Sequence, residues 1–509
     1  MKKVIKTILL YLLILLCSIL ILAPLWIRKI FGDVTLDEII FNLSVPLIGS
    51  DTTWYVIDGL KNILLPALIL SSILFLILIY EYKYILQLEI SIRNKTFIVK
   101  PPRFLKHILC VLLFIVSLVF CIQKLDLYEY AKTALATSSF IEENFIDAND
   151  INITFPERKR NLIYIMMESL ESSYASTNKG GVLENNLIPN LTRLSSENIS
   201  FSNTDKIGGA YNLSGTTWTI AAMVSHFSGI PLKLSFDGNK YGDYSTFLPG
   251  ITNLGDILKK EGYNQLFMLG SDIRFGGRYN YMKQHGDYDI FDFTYATENG
   301  YYNSEDYIWW GYTDNTLYKF AKEELTKLAS KNEPFNFTLL TVDTHFEDGY
   351  VSETCTDLKY TDNYSNSISC ADNMVNDFIN WIKEQNFYEN TTIVIAGDHL
   401  TMDVDFFENY DTNYKNRTVY NTYINSAVAT KNIKNRQFST LDFFPTTLAS
   451  LGVKFNGDMI GLGTNLFSNS ETLIEKYGYE YVNNELIKKS NFYNKKFLYN
   501  KQNMIKASQ

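Results

Sequence analysis

Residues 161–169 read NLIYIMMES, an unbroken apolar run that ends in a carboxylate and a hydroxyl. A short apolar run bounded by polar residues is typical of a strand buried on both faces. Three further runs of this kind follow along the chain: QLFML at 265–269, FTLLTV at 337–342 and TTIVIAG at 391–397. Amphipathic helical patterns lie between them, at 314–330 and 371–385. This alternation predicts an α/β fold, with a mainly parallel sheet between layers of helices.

Polar side chains follow three of these predicted strands at the point where each strand ends. They are Glu168 with Ser169, Asp343 with Thr344 and His345, and Asp398 with His399. Parallel strands end at one edge of a sheet, where open α/β sheets bind their ligands. A carboxylate in such a position also serves as a helix cap, so each ending alone is weak evidence. The three endings together predict a functional site at this edge.

The stretch SGTTWTIAAM at 214–223 places Thr216, Thr217 and Thr219 just ahead of an apolar helical pattern. A threonine at a helix start commonly caps the helix. If one of the three hydroxyls joined the side chains at 168, 398 and 399, the set would offer a cation three oxygens and one nitrogen. That set favours Mn²⁺ or Mg²⁺, with Zn²⁺ as the alternative. The chain has only five histidines, which favours one metal over a two-zinc site.

The first 125 residues contain three apolar runs long enough to cross a bilayer, which takes roughly 20 residues. The predicted membrane helices are about 4–27, 63–80 and 108–122. The first run could instead be a cleaved signal peptide, but it is long for one and lacks a clear cleavage site. The sequence therefore predicts a transmembrane domain at 1–125, a connector at 126–158, an outer domain at 159–470 and a tail at 471–509.

Basic residues in the short loops predict the orientation of the membrane domain. Lys2 and Lys3 precede the first span, and six lysines and arginines lie between the second and third spans. The loop between the first and second spans is poor in basic residues and rich in aspartate. The amino terminus and the second loop are thus expected inside. Everything after the third span is then extracytoplasmic, in a protein of the cell membrane.

Cys355 and Cys370 are the only cysteines outside the predicted spans. An isolated pair in an oxidising compartment indicates a disulfide, and two unrelated free thiols are the alternative. The chain has 46 basic against 55 acidic side chains and no basic stripe, which argues against nucleic acid as a partner. It also has no GxxxxGK[ST] loop, so no nucleotide is expected.

Six motifs occur in an order that carries a family resemblance. They are MMESLESSY, GTTWTIAAM with SGIP, LGSDIRFGGR, WGYTDNTLY, TVDTHFEDGYVSETC and AGDHL. Over residues 160–450 the chain resembles the phosphoglycerol transferases, membrane relatives of the alkaline phosphatase/sulfatase superfamily. It is more distantly similar to lipoteichoic acid synthase and the phosphoethanolamine transferases.

The resemblance implies roles for individual residues. In that family the positions of Glu168, Asp398, His399 and the threonine that opens the helix bind the catalytic metal. The threonine is also the nucleophile, and the helical pattern after position 219 makes it Thr219, with Thr217 next. A metal ion bound to its oxygen would activate the hydroxyl.

The resemblance also implies a substrate site. Arg278 matches an arginine that grips the substrate phosphate, and Arg274 either assists it or forms a surface ion pair. His345 matches a histidine beside the head group and is expected to protonate the leaving oxygen. Asp314, in the WGYTDNTLY motif, is either a site residue or a helix cap.

The resulting expectation is a two-step transfer of phosphoglycerol from phosphatidylglycerol to a hydroxyl of an envelope glycan or glycolipid. The partners would be a phospholipid donor and that acceptor. A phosphoethanolamine transferase would use the same residues on another head group. A sulfatase needs a C/S-x-P-x-R motif, which the nucleophile region lacks. A non-catalytic membrane module is the remaining alternative, and the complete set of ligand residues argues against it.

Overall fold

The computed structural model describes residues 2–31, 53–78, 88–92, 95–99, 104–233, 246–403, 405–410 and 412–498. The described residues up to Lys132 form one compact unit, and those from Thr133 onward form another.

The first unit contains three helices long and apolar enough to cross a membrane, at Val4–Ile30, Val56–Leu76 and His107–Lys124. Its elements are α1 (Lys2–Phe31), α2 (Thr53–Gly59), α3 (Leu65–Leu76), the hairpin β1 (Leu88–Ile92) and β2 (Lys95–Val99), α4 (Leu105–Lys124) and the start of α5 (Leu127–Leu135). The second span begins before the predicted residue 63 because its polar Asp58 and Asn62 are accommodated in the helix. Asp58 accepts hydrogen bonds from both Trp26 and Asn62.

A six-stranded sheet forms the centre of the second unit. Its strands are β4 (Asn161–Met167), β5 (Asn264–Leu269), β6 (Asp289–Phe291), β7 (Phe335–Leu340), β8 (Thr391–Gly397) and β9 (Asn421–Ile424). They lie in the order β6-β5-β7-β4-β8-β9, and all neighbours are parallel except β8 and β9. The three strands followed by polar residues, β7, β4 and β8, are therefore adjacent, and their ends meet at one edge.

Helices cover both faces of this sheet. They are α6 (Phe140–Asn144), α7 (Pro189–Glu197), α8 (Thr219–Ser228), α9 (Leu254–Lys260), α10 (Arg278–Gln284), α11 (Phe293–Glu298), α12 (Asp314–Ala329), α13 (Asn363–Lys383), α14 (Phe443–Ser450), α15 (Leu473–Tyr477), α16 (Tyr479–Ile487) and α17 (Asn491–Tyr493). Alternate residues of β4 enter two separate cores, with Tyr164 in one and Ile165 in the other. Burial on both faces explains why β4 is apolar without alternation.

The predicted α/β fold is confirmed, with differences at the edges. β7 ends at Leu340, so the last two residues of FTLLTV already belong to the loop that carries His345. α13 starts at Asn363 rather than 371, where Asp362 accepts a hydrogen bond from the Ser365 N–H and caps the helix. The short strands β6 and β9 were not predicted.

The predicted connector and tail both contribute to the core of the second unit. Phe140 and Ile141 of α6 are buried, and β3 (Ile153–Thr154) pairs with β10 (Lys454–Phe455). Val482 and Phe497 of the tail are fully buried as well. A second small hairpin joins β11 (Met459–Ile460) to β12 (Gly463–Thr464). The second unit therefore also includes described residues outside the predicted domain at 159–470.

Cys355 and Cys370 form a disulfide with an S–S distance of 1.97 Å. It joins the loop after β7 to α13. Alkylation of the unfolded, unreduced protein should therefore label only Cys17, Cys110 and Cys121, and prior reduction should raise the number of labelled thiols to five. Five labelled thiols without reduction would rule the bridge out.

Replacing both bridged cysteines by serine should lower the free energy of unfolding by about 3 kcal/mol, because the bridge closes a 15-residue loop. Thermal unfolding of the full chain measures the effect. Cys121→Ser is the matched control, since this free thiol closes no loop.

Candidate active site

Glu168 is the first residue after β4, and its backbone is fixed from two sides. Its N–H donates to the Thr341 hydroxyl at 3.0 Å, and its carbonyl accepts a hydrogen bond from Thr344. Ser169 then turns the chain through the left-handed region, at φ 52°. The Ser169 hydroxyl donates to Oε1 of Glu168 at 2.9 Å. The Glu168 carboxylate is therefore held in one orientation, and it is buried.

Asp398 follows β8, and its two oxygens differ in their surroundings. Oδ1 accepts the backbone N–H groups of Ser169 at 2.8 Å and of His399 at 2.7 Å. Oδ2 is buried and accepts no hydrogen bond. A buried carboxylate oxygen without a donor is costly, and a cation would satisfy it.

His399 presents a lone pair to the same point. Its Nδ1 lies 2.9 Å from the Leu400 carbonyl, a contact that assigns the ring proton to Nδ1. Nε2 lies 3.3 Å from Oδ2 of Asp398 and 3.6 Å from Oε1 of Glu168. A backbone carbonyl beside one ring nitrogen and carboxylate oxygens beside the other is the arrangement of a metal-binding histidine.

Ligand atoms of Glu168, Asp398 and His399 lie within 4.8 Å of one another, and all three residues are buried. Burial, together with the charge of Glu168, raises the pKa of Asp398 to about 7. The donor set of two carboxylates and one imidazole fits a divalent ion such as Mn²⁺, Mg²⁺ or Zn²⁺. No second cluster of this type occurs in the part of the chain that the structure describes.

Besides His345, two further histidines of the second unit lie outside this cluster and have other contacts. Nδ1 of His226 lies 2.9 Å from the Tyr164 hydroxyl, and Nδ1 of His285 lies 2.9 Å from Asp256. Neither histidine belongs to the candidate donor set of Glu168, Asp398 and His399.

Thr219 is the first residue of α8, and its hydroxyl lies 3.5 Å from Oε2 of Glu168. The Thr216 hydroxyl is occupied in its own loop, where it donates to the Leu213 carbonyl and accepts the Leu213 N–H, both at 2.9 Å. Thr217 is buried in the same loop. Of the hydroxyls at 216 and 219, the structure brings only that of Thr219 to Glu168, at a helix amino terminus that favours anions.

Arg278 is buried at the start of α10, and its guanidinium is fixed by the carbonyls of Phe275 at 2.9 Å and Asp272 at 2.8 Å. Burial lowers the pKa of Arg278 to about 10, and the charges of Glu168 and Asp398 act in the opposite direction. Arg278 thus remains a cation within electrostatic reach of the cluster. Arg274 is instead exposed and forms an ion pair with Asp272. This contact corresponds to the second predicted alternative, the surface ion pair.

His345 lies in the loop after β7, with Nδ1 2.6 Å from the Phe346 carbonyl. Burial lowers the pKa of His345 to about 4, so the ring is neutral near pH 7. With its proton on Nδ1, the neutral ring can accept a proton at Nε2 from a hydroxyl. This state differs from the predicted proton donor, which would first need to gain a proton.

Asp314 has a role that neither predicted alternative described. Its two oxygens accept the N–H groups of Val342 and Asp343, each at 2.9 Å. Asp314 is fully buried, and burial raises its pKa to about 7. The residue therefore fixes the loop that carries His345 instead of capping its own helix.

Glu171 and Arg417 were missed in the sequence, although Glu171 stands only three residues after Glu168. Oε2 of Glu171 lies 3.0 Å from Nε of Arg417, and both side chains are buried. Oε1 of Glu171 accepts the Thr401 N–H at 3.0 Å, and Arg417 donates to the Thr401 carbonyl at 3.0 Å. The pair therefore holds the chain two residues beyond the candidate ligand His399.

Arg417→Met should lower the free energy of unfolding by about 3 kcal/mol or more, because it leaves a buried carboxylate unpaired. The double variant Glu171→Gln/Arg417→Met should recover part of this loss. Chemical denaturation of the single and double variants measures the coupling. Arg193→Met, which breaks an exposed ion pair with Glu197, should cost less than about 1 kcal/mol. Equal losses in the single and double variants would show that the pair is not coupled.

Residues 160–453 match the model of the family described as Sulfatase. The chain is 36% identical over 265 residues to phosphoglycerol transferase I of Escherichia coli O6:K15:H31 (strain 536 / UPEC), which covers 49% of this chain and 32% of that protein. The chain thus spans about a third of the length of the curated relatives that it matches.

Solved structures show a weaker likeness. The lipoteichoic acid synthase LtaP from Listeria monocytogenes has a TM-score of 0.48 at 19% identity, covering 65% of this chain and 80% of its own. The lipooligosaccharide phosphoethanolamine transferase A (EptA) from Neisseria meningitidis has a TM-score of 0.49 at 14% identity, covering 88% of this chain and 84% of its own.

Proposed function

From the premise that this chain belongs to the Sulfatase family, whose model matches residues 160–453, we propose that it is a phosphoglycerol transferase. It transfers phosphoglycerol from phosphatidylglycerol to a hydroxyl of a cell-envelope glycan or glycolipid. The observation that carries this proposal is the position of the Thr219 hydroxyl, 3.5 Å from a buried carboxylate of the cluster. A threonine at this point supports phosphoryl transfer, and the relatives named phosphoglycerol transferase I support the head group.

Glu168, Asp398, His399 and Thr219 are the proposed ligands of one divalent ion, Mn²⁺ or Mg²⁺, with Zn²⁺ as the alternative. Such an ion supplies a lower pKa for the threonine hydroxyl and neutralises charge on the phosphoryl oxygens. The chain's own contribution is rigidity. Hydrogen bonds to Ser169 and His399 orient the Asp398 carboxylate, and the Leu400 carbonyl orients the His399 ring.

In the first step the Thr219 oxygen attacks phosphorus, and the bond from phosphorus to the diacylglycerol oxygen breaks. The proton lost by Thr219 ends on diacylglycerol. In the second step an acceptor hydroxyl attacks the phosphothreonine, and its proton returns to the Thr219 oxygen. Arg278 offsets phosphate charge in both steps, and neutral His345 accepts the acceptor's proton in transit.

We place the second unit outside the cytoplasm, beside the lipid donor. The basic loop between the second and third spans and the disulfide of Cys355 with Cys370 support this orientation. A reporter that is active only outside the cytoplasm should function when fused after Gln509. If the same reporter is instead active when it is fused within residues 85–100, the orientation is the opposite of the one proposed.

Asp398→Asn should strongly reduce the metal content of the purified protein, because the amide removes the charge of the oxygen that lacks a donor. Elemental analysis after addition of Mn²⁺ measures the metal content. Asp372→Asn is the matched control, since Asp372 is equally buried but accepts hydrogen bonds from Asn190 and Leu191. Full occupancy in Asp398→Asn would remove Asp398 from the ligand set.

Thr219→Ala should reduce head-group release by several orders of magnitude, because it removes the hydroxyl proposed to form the covalent intermediate. Thr219→Ser should keep part of the activity, since the hydroxyl remains but its methyl-constrained rotamer does not. Release of diacylglycerol from fluorescent phosphatidylglycerol measures the effect. Undiminished activity in Thr219→Ala would move the role to Thr217 or Thr216, and Thr217→Ala is therefore the matched comparison.

Parallel substrates separate the alternatives. Release from phosphatidylethanolamine alone would make the chain a phosphoethanolamine transferase. Turnover of an aryl sulfate alone would make it a sulfuric ester hydrolase. A folded protein that binds the ion and turns over none of the three would be the non-catalytic module.

A further inference from the structure

Four partly exposed aromatic side chains form a row beside His345, and we call them the aromatic wall: Phe275, Trp309, Trp310 and Tyr350. The ring of Trp310 lies 4.8 Å from that of His345, and the edge-on ring of Trp309 lies 6.0 Å away. Trp309 stacks on Tyr350 with ring centroids 6.2 Å apart, and Trp310 contacts Phe275 at 5.6 Å. The wall therefore forms a continuous row of rings past His345, the candidate proton acceptor. It runs from Phe275, just before α10, to Tyr350 in the loop after β7.

The backbone at residues 308–311, which carries the two tryptophans, forms a tight turn. Trp309 adopts a positive φ of 54°, which is costly for a bulky residue and persists only where the surroundings impose it. Ile308 and Gly311 impose it by exchanging two backbone hydrogen bonds, at 2.8 and 2.9 Å. A side chain at Gly311 would lie 2.0 Å from the Gly270 carbonyl, so the turn is also packed tightly against the end of β5. The turn directs two adjacent tryptophans away from full burial, whereas Tyr312 directly after it is buried.

The charges around the wall identify the kind of ligand that suits it. The exposed carboxylates of Glu353 and Asp306 lie near the wall, since Glu353 acts on Tyr350 and both act on the neighbouring Tyr302. The guanidinium of Arg278 lies beneath Phe275, at 5.4 Å from the ring. Acidic groups at the rim disfavour an anionic ligand and can accept hydrogen bonds from hydroxyls. Aromatic faces are negatively polarised and attract the positively polarised C–H groups of a flat, neutral ring.

We propose that the aromatic wall binds a neutral pyranose ring of the acceptor. This proposal rests on the proposed function, because the bound sugar would supply the hydroxyl that attacks in the second transfer step. A sugar on the wall would place a hydroxyl beside His345, whose pKa is affected by the charges of Asp398 and Arg278 in the reaction centre. The rings of the wall are partly exposed to solvent, and carboxylates lie beside them. These surroundings suit a sugar better than an acyl chain of the donor.

Kinetics of the full-length protein test the wall directly, with phosphatidylglycerol as donor and either methyl β-D-glucopyranoside or glycerol as acceptor. Trp309→Ala should raise the KM for the glucoside at least about tenfold more than the KM for glycerol, because glycerol has no ring to stack. Tyr350→Ala should act in the same direction, and it does not alter the turn at Trp309. Trp309→Phe should recover much of the loss. Tyr295→Ala, an exposed tyrosine outside the wall, is the control.

Other outcomes would overturn the proposal. Equal losses with glucoside and glycerol would mean that the wall only supports His345. Slower release of diacylglycerol in the absence of any acceptor would assign the wall to the donor lipid. Both results leave the proposed function standing.

A binding measurement separates the wall from the transfer reaction altogether. Glucose trisaccharides with α- and β-linkages should quench the tryptophan fluorescence of the wild-type protein, and Trp309→Phe should weaken this quenching. Absence of quenching by every trisaccharide would overturn the proposal. Quenching by a protein that forms no adduct with phosphatidylglycerol would retain the sugar site and reject the transfer function.

Discussion

The carboxylate of Asp398 joins the ends of the two central strands, and the geometry of the site depends on this contact. Oδ1 accepts one N–H from Ser169, at the end of β4, and one from His399, at the end of β8. This use of Oδ1 leaves Oδ2 directed at the lone pair of His399, 3.3 Å away. The same hydrogen bonds that fix the strand ends therefore also create the oxygen that lacks a donor. Burying two carboxylates there costs free energy, which the proposed cation would offset.

Local pattern was sufficient to predict the part of the fold that creates this edge. β4 and β8 have the predicted bounds, because strands buried on both faces are uninterrupted apolar runs. Glu168, Asp398 and His399 could be found for the same reason, since each directly follows such a run. The edge strands β6 and β9 have three and four residues, too few to establish a period. The choice of Thr219 among the three threonines rested on both a helical pattern and a family resemblance, and it stays a prediction.

The supporting contacts could not be predicted, because each joins residues that are distant in the sequence. Arg417 lies 246 positions after Glu171, yet the two side chains meet and hold Thr401 between them. Asp314 supports the backbone at 342–343 from the start of α12. In the sequence, each of these residues is an ordinary charged residue near a helix or strand end. Only the fold shows that they fix the loops carrying His399 and His345.

The helix that carries Thr219 needs a different kind of support, because it does not follow a strand of the sheet. Its two flanking segments are joined by the hydrogen bond from the Leu232 N–H to the Gly215 carbonyl, at 2.8 Å. The end of the chain then holds both segments from outside. Asn483 accepts the Ser214 N–H at 2.8 Å, and the Tyr493 hydroxyl donates to the Pro231 carbonyl at 3.0 Å.

This arrangement gives the tail a function that its composition did not indicate. Strand ends position the proposed metal ligands, which come from the sheet itself. The proposed nucleophile, Thr219, is held by contacts of the tail helices α16 and α17 with the segments on either side of α8. Because the proposed metal ligands and the proposed nucleophile have separate supports, a change in the tail can displace Thr219 while Glu168, Asp398 and His399 remain together. The distance between Thr219 and Glu168 therefore depends both on the end of β4 and on tail residues more than 260 positions after Thr219.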